Sequence, residues 1–252
     1  MRSSIITSDM KKTTAKLLLI STLLLFSSII NTNNLSASSR VWHVKLISSK
    51  GEIVLMLYDN THVHRDNFLK LAKKGYFNGV LFHRVINNFM IQSGDPDSKE
   101  REPGKIYGNG GPELNLPAEF VPGLFHKRGA LAAAREGDDI NPGRESSGSQ
   151  FYIVEGKIHD DESLNLAEKR INDRNRLIGK ESGYKIPSDI REYYKKNGGT
   201  PHLDTQYTVF GEVISGMDVV GAISDVETDN NDRPLEDVII FSVKTFKKRL
   251  KR

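Results

Sequence analysis

Apolar and polar residues alternate at period two along two early runs, Val41 to Ser48 and Glu52 to Tyr58, which predicts a pair of half-buried strands. Ser49-Lys50-Gly51 between them supplies the turn, so the runs read as an opening hairpin. The period then lengthens: Phe68, Leu71 and Ala72 recur at helical spacing over Asn67 to Lys74, and Gly75 stands at the C′ position. Alternation returns over Leu81 to Asp95, LFHRVINNFMIQSGD, breaks at Asn87-Asn88 and resumes at Phe89. Gly129 to Ala134, GALAAA, has the small residues of a strand that lets another backbone approach closely, or equally of a tightly packed core. Thr208 to Val213 and Asp237 to Phe246 read as strands, with a short helix at Met217 to Ile223 between them.

Between Glu155 and Gly199 the pattern is charged and helical. Leu164, Ala167, Ile171 and Ile178 share one stripe, and a second helix, Asp189 to Lys196, runs from Pro187-Ser188 to Asn197-Gly198-Gly199. This segment reads as a helical insertion, one that grips a partner or shapes the rim of a site, or, the reading slightly favoured, covers a sheet edge. Many short strands, turn-rich connections and few helices predict a mainly β protein built on a closed antiparallel sheet.

The first 39 residues stand apart. Arg2, Lys11, Lys12 and Lys16 precede the apolar run Leu17 to Ile30 and a polar exit, NTNNLSASSR, the order of a secretory signal peptide cut near Ala37 to Ser39. As a helix the apolar run reaches only ~21 Å, short of a ~30 Å hydrocarbon core, so export is favoured over a retained membrane anchor. The remainder, 40–252, is expected to be a single domain exported to the periplasm or otherwise beyond the cytoplasmic membrane.

The formal charge of +4 owes most to that leader, for beyond residue 39 there are 32 basic and 31 acidic residues. Six of those basic residues lie in the tail from Lys244 to Arg252, read as a solvated terminus, so the charge gives no ground for a nucleic-acid partner. Cysteine is absent, which excludes disulfides and thiolate chemistry. His62 and His64 have period-two spacing but no third ligand at a recognisable distance, and read as solvated loop histidines. Gly108-Asn109-Gly110-Gly111 lacks the Lys-Ser or Lys-Thr of a phosphate cradle and reads as loop. No metal and no cofactor is expected.

The chemistry gathers in LFHRVINNFMIQSGD. Arg84, Phe89, Met90 and Gln92 make joint sense only if they converge on one surface across the turn, giving an apolar hollow with a few aimed donors. The run FHRVINNFMIQSGD resembles the signature of the cyclophilin family of peptidyl-prolyl isomerases. Gly148-Ser149-Gln150-Phe151-Tyr152-Ile153 resembles that family's second hallmark, and Leu203-Asp204 with Tyr207 to Val213 a third. The resemblance spans roughly residues 41 to 246, interrupted by the insertion 155–200. It implies an eight-stranded antiparallel β-barrel capped by helices, and rotation about Xaa-Pro bonds without metal, cofactor or covalent intermediate.

Carried onto this sequence, the resemblance makes Arg84 the catalytic donor. It assigns Phe89, Met90, Tyr152 and Leu203 to a proline pocket, and Gln92 and Gln150 to orienting the arginine and holding substrate backbone. His83 falls at the rim, and Ala134 and Arg135 on the strand that binds peptide. Four positions depart from the family pattern: Tyr152 stands for phenylalanine, Arg135 for asparagine, His202 for a tryptophan linked to cyclosporin binding, and Tyr207 for a frequent histidine. The expected partners are proline-containing unfolded or flexible protein segments, with the chain monomeric and touching a membrane only through an uncleaved N-terminus. The competing reading is a cyclophilin-shaped binding module or holdase that grips such segments without turnover.

Overall fold

A computed structural model describes residues 40–249. The expected signal peptide lies outside the described residues.

The opening hairpin forms as its alternation requires. Strands β1 (Arg40–Ser48) and β2 (Gly51–Leu57) pair antiparallel with Val44 opposite Leu55. The Ser48 hydroxyl closes the turn by donating to the Gly51 carbonyl at 2.9 Å. Helix α1 (His62–Lys73) begins five residues before the apolar spacing predicts. Its cap is remote: the Glu119 carboxylate accepts the N–H groups of Val63 and His64 at 3.2 and 3.0 Å, satisfying donors that a helix start leaves orphaned. His64 is therefore no solvated loop residue. It is buried, its Nδ1 lies 2.6 Å from Glu119, and its ring packs tilted against Phe210.

The remaining strands are β3 (Arg84–Ile86), β4 (Met90–Ser93), β5 (Asn115–Leu116), β6 (Ala130–Ala133), β7 (Ser146–Ser147), β8 (Phe151–Val154), β9 (Val209–Ser215) and β10 (Ile240–Arg249). Eight of them form one antiparallel sheet in the order β10-β1-β2-β9-β6-β8-β4-β3, while β5 and β7 pair separately. The sheet curls without a complete closing ladder, so a fully closed barrel is too strong a description. Its seam is stitched by a few bonds, Phe82 N–H to Val238 O, Ile240 N–H to Val80 O and, from β3, Val85 N–H to Asp232 O, each at 2.8 Å. Opposite β3 the partner chain turns through Asp232, at positive φ, and Pro234, which has no N–H to offer. A ladder cannot propagate there.

Strands in the middle of this sheet are buried on both faces, and their alternation divides two apolar clusters. Phe151, Ile153, Leu131, Ala133, Val85 and Ile91 enter the main core, under α1 and helix α4 (Met217–Ser224). Their neighbours Tyr152, Val154, Ala130, Ala132 and Met90 face the other way into a smaller cluster with Leu203, Val209 and Tyr207. That second face carries the site.

The insertion forms two helices, α2 (Asp161–Leu177) and α3 (Ser188–Asn197), with their own small core of Leu164, Ala167, Ile186, Ile190 and Tyr194. Asp160 and Ser163 close the start of α2 as a reciprocal capping box. Among the described residues the helices pack chiefly on each other and, through α2, on the short 3-10 turn Pro201–Leu203, and not on an edge strand as a sheet-edge cover would. The chain re-enters through Gly199, at φ +146°, where a Cβ would meet the His126 carbonyl at 2.4 Å. Only glycine fits that return.

Candidate active site

Strand register assembles the site. Arg84 lies opposite Gln92, Gln92 opposite Tyr152, and Tyr152 opposite Ala132, so one transverse row crosses β3, β4, β8 and β6. All four side chains of a row project from the same face. Above this row lies a hollow of about 290 Å³ lined by His83, Arg84, Phe89, Met90, Gln92, Ala134, Arg135, Tyr152, Leu203 and Tyr207, together with Ile106 to Asn109. Ten of the twelve residues expected to form the site thus line one cavity. A larger hollow, about 600 Å³ between Arg128, Glu155, Lys157 and Tyr193, is lined mainly by ion-pairing and polar groups.

Arg84 is held at one nitrogen only. Its Nε donates to Asp232 at 3.2 Å, and its side chain is 43% exposed, leaving the two terminal nitrogens without a partner among the described residues. A guanidinium with donors to spare, beside an apolar hollow, is an electrophile for a lone pair. Gln92 does not orient it. Gln92 donates instead to Oε1 of Gln150 at 3.1 Å.

Gln150 sits one layer back. Its amide nitrogen donates to the carbonyls of Gly108 and Gly110, both at 2.8 Å, so it anchors a loop, and its side-chain nitrogen is spent. Those two acceptors fix which way the Gln150 amide points, and hence the orientation of Gln92. The same loop is gripped from its other side by the buried Asp95, which accepts the N–H groups of Gly108 and Gly110. The glycine run is therefore no phosphate cradle: two of its N–H groups already face an anion.

The departures at Tyr152 and Arg135 both find partners. Burial pushes the Tyr152 phenol up, keeping it protonated, and its hydroxyl meets His126 Nε2 at 2.9 Å. His126 Nδ1 lies 3.0 Å from Asp204, which also accepts from the His126 N–H and from the Tyr194 hydroxyl. This buried chain runs from the floor of the hollow to α3, and it assigns Nε2 as acceptor and Nδ1–H as donor. Arg135 turns its guanidinium inward, to Gln206 O at 2.8 Å and Asp138 at 2.7 Å, and lies 4.4 Å over the ring of Tyr207. Its own N–H and C=O make no hydrogen bond among the described residues, whereas those of Ala134 are spent on Gln150 and Ser147.

Two histidines differ in placement from expectation. His83 lies at the wall, not at an exposed rim: it is buried, both ring nitrogens lack partners, and burial lowers its pKa to about 4. His202 stacks on Phe89 at 5.5 Å and backs the hollow without lining it; burial holds its pKa at about 4 as well. Sequence reasoning missed Tyr107, Asp232, His126 and Asp204. His126 and Asp204 had a usable signal, because a buried tyrosine hydroxyl demands a partner and Asp204 falls in the Leu203-Asp204 run.

A family model described as cyclophilin type peptidyl-prolyl cis-trans isomerase/CLD matches residues 43–245. A Streptococcus pyogenes relative, named as a bifunctional phosphatase/peptidyl-prolyl cis-trans isomerase, is 36% identical over 81% of this chain, which spans 38% of that protein. Relatives from Staphylococcus haemolyticus and Staphylococcus aureus, named peptidyl-prolyl cis-trans isomerases, are 35% identical over 79% of this chain and 89% of theirs. A cyclophilin-type structure from Cryptosporidium parvum aligns with TM-score 0.57 over 82% of this chain and 98% of its own, at 21% identity. That chain was also solved in the presence of the dipeptide Ala-Pro, aligning with TM-score 0.55 over 80% of this chain and 96% of its own.

Proposed function

The chain belongs to the cyclophilin-type peptidyl-prolyl cis-trans isomerase family, and from that premise we propose that Arg84 drives rotation about Xaa-Pro bonds in client chains. Rotation breaks amide resonance against a barrier of ~18–20 kcal/mol, and the twisted proline nitrogen regains its lone pair. A terminal N–H of Arg84 donates to that lone pair, an interaction made only in the twisted state and therefore catalytic. Phe89, Met90, Tyr152 and Leu203 hold the ring, and the free main-chain groups of Arg135 pair with the substrate backbone. Gln92, fixed by Gln150, offers its unpaired carbonyl oxygen to substrate N–H. No bond other than the partial C–N double bond changes, so no nucleophile is needed.

The observation that carries this reading is the guanidinium restrained at Nε alone, on the same row as the apolar floor. The test is exchange of a short Ala-Pro peptide followed by NMR, with wild type and Arg84→Ala at equal concentration. Acceleration by wild type, lost about 10²- to 10³-fold in the variant, is expected of a preorganised donor; equal rates would remove Arg84 from catalysis. We further propose that residues 1–39 direct export and are removed, so that the clients are exported chains during folding. The order of basic residues, apolar run and polar exit supports this, and a mature N-terminus at Met1 would refute it.

A further inference from the structure

We propose that an apolar groove beside Tyr207 is a second site for the same client chain, taking an aromatic or branched aliphatic side chain that flanks the proline. This rests on the isomerase reading above. The groove holds about 270 Å³, and its walls come from two places: Phe120 and Leu124 on the loop before β6, and Tyr184, Pro187 and Ile190 from the insertion. Tyr207 lines both this groove and the hollow over Arg84, so the two are neighbours on either side of one side chain.

The chemistry of the walls selects the occupant. Two carboxylates reach the groove, Glu119 and Asp204, and both are committed: Glu119 to Val63 and His64, Asp204 to His126 and Tyr194. A charged client residue would find no partner there, whereas an apolar one buries surface. The opposite flank of the hollow is the reverse, a polar basin with Asn109, Glu113, Glu136 and Glu145. The wall between groove and hollow is also rigid. Thr205, a β-branched residue at φ +60°, is held in a strained conformation by neighbours the insertion clamps: Gln206 donates to Asn175 at 3.2 Å, and Asp204 receives Tyr194. The insertion therefore both supplies one wall and fixes the partition.

The test uses full-length mature protein and a peptide set with a central Ala-Pro, in which leucine is scanned through three positions on each side against an all-alanine background. Turnover is read by NMR exchange, and binding separately by chemical-shift changes at Phe120 and Leu124. Wild type is expected to favour leucine at one or two positions by about tenfold in kcat/KM, and Phe120→Asp to bring that ratio to about one. The surface-exposed Phe120 can be replaced without emptying the core. A wild type indifferent to leucine at every position, or a preference that survives Phe120→Asp, overturns the groove. Leucine-dependent binding that Phe120→Asp abolishes, in a protein with no turnover, supports the groove and sinks the isomerase reading alone.

Discussion

Arg84 Nε and Asp232 Oδ2 lie 3.2 Å apart although 148 residues separate them in the chain. Both side chains are about two-fifths exposed, so the pair contributes little to stability, ~0–1 kcal/mol. Its effect is to fix the guanidinium plane. Asp232→Ala is expected to lower kcat about three- to tenfold with KM little changed, and Asp232→Asn to restore most of it. Asp232 holds φ +62°, which asparagine tolerates and alanine does not, so Asp232→Asn should keep the urea midpoint while Asp232→Ala loses about 1 kcal/mol. A fall in KM-dependent binding with kcat intact would show that Asp232 acts elsewhere.

Tyr152→Phe strips the hydroxyl that satisfies His126 Nε2 at 2.9 Å in a fully buried setting. The ring that faces the hollow survives. A loss of about 1–3 kcal/mol in urea unfolding is expected, because a buried acceptor is left unpaired. Peptide turnover by the folded variant should stay within a few-fold of wild type. If stability is unchanged, the bond from Tyr152 to His126 has no energetic weight.

Acid should destabilise the fold through His83. Burial lowers its pKa from 6.5 to about 4. Between those values the unfolded chain binds the proton and the folded one does not, so stability is complete above pH ~6.5 and falls as pH drops toward 4. Linkage gives a loss of about 2 kcal/mol by pH 5 and about 3 below pH 4. His64 and His202, both lowered mainly by burial, act in the same direction. Urea titrations at pH 7.5, 6, 5 and 4.5 test this, and His83→Gln is expected to flatten the slope. A wild-type stability independent of pH over that range would contradict it.

Thr205 holds φ +60°, a conformation that costs a β-branched residue about 1–2 kcal/mol. Asparagine tolerates the left-handed region, so Thr205→Asn is expected to stabilise by roughly 1 kcal/mol in denaturant unfolding. Destabilisation would mean that the threonine side chain makes a contact worth more than its strain.

Much of this was legible in the sequence where local period decides. The alternation Phe151-Tyr152-Ile153-Val154 places tyrosine and phenylalanine on opposite faces of one strand, and the run from Arg84 to Gln92 converges because a tight turn joins two short strands. What was illegible depends on partners remote in the chain. Glu119 caps α1 across 56 residues, which is why the helix began early and why His64 was misread as solvated. Gln150 spends its amide on Gly108 and Gly110, a bond no spacing rule announces. The seam of the sheet failed to close because of a turn at Asp232 and Pro234, whose position opposite β3 is set by tertiary structure.

The doubly buried strands have a consequence for how such a protein can change. Inserting or deleting one residue in β8 would not merely shift a contact; it would trade the contents of two compartments, sending the Tyr152 hydroxyl into hydrocarbon and Phe151 toward the hollow over Arg84. New client preferences must therefore be written at the margins, in the Gly108–Gly110 loop, the Leu203–Tyr207 segment and the helical insertion, while the strands stay at fixed length.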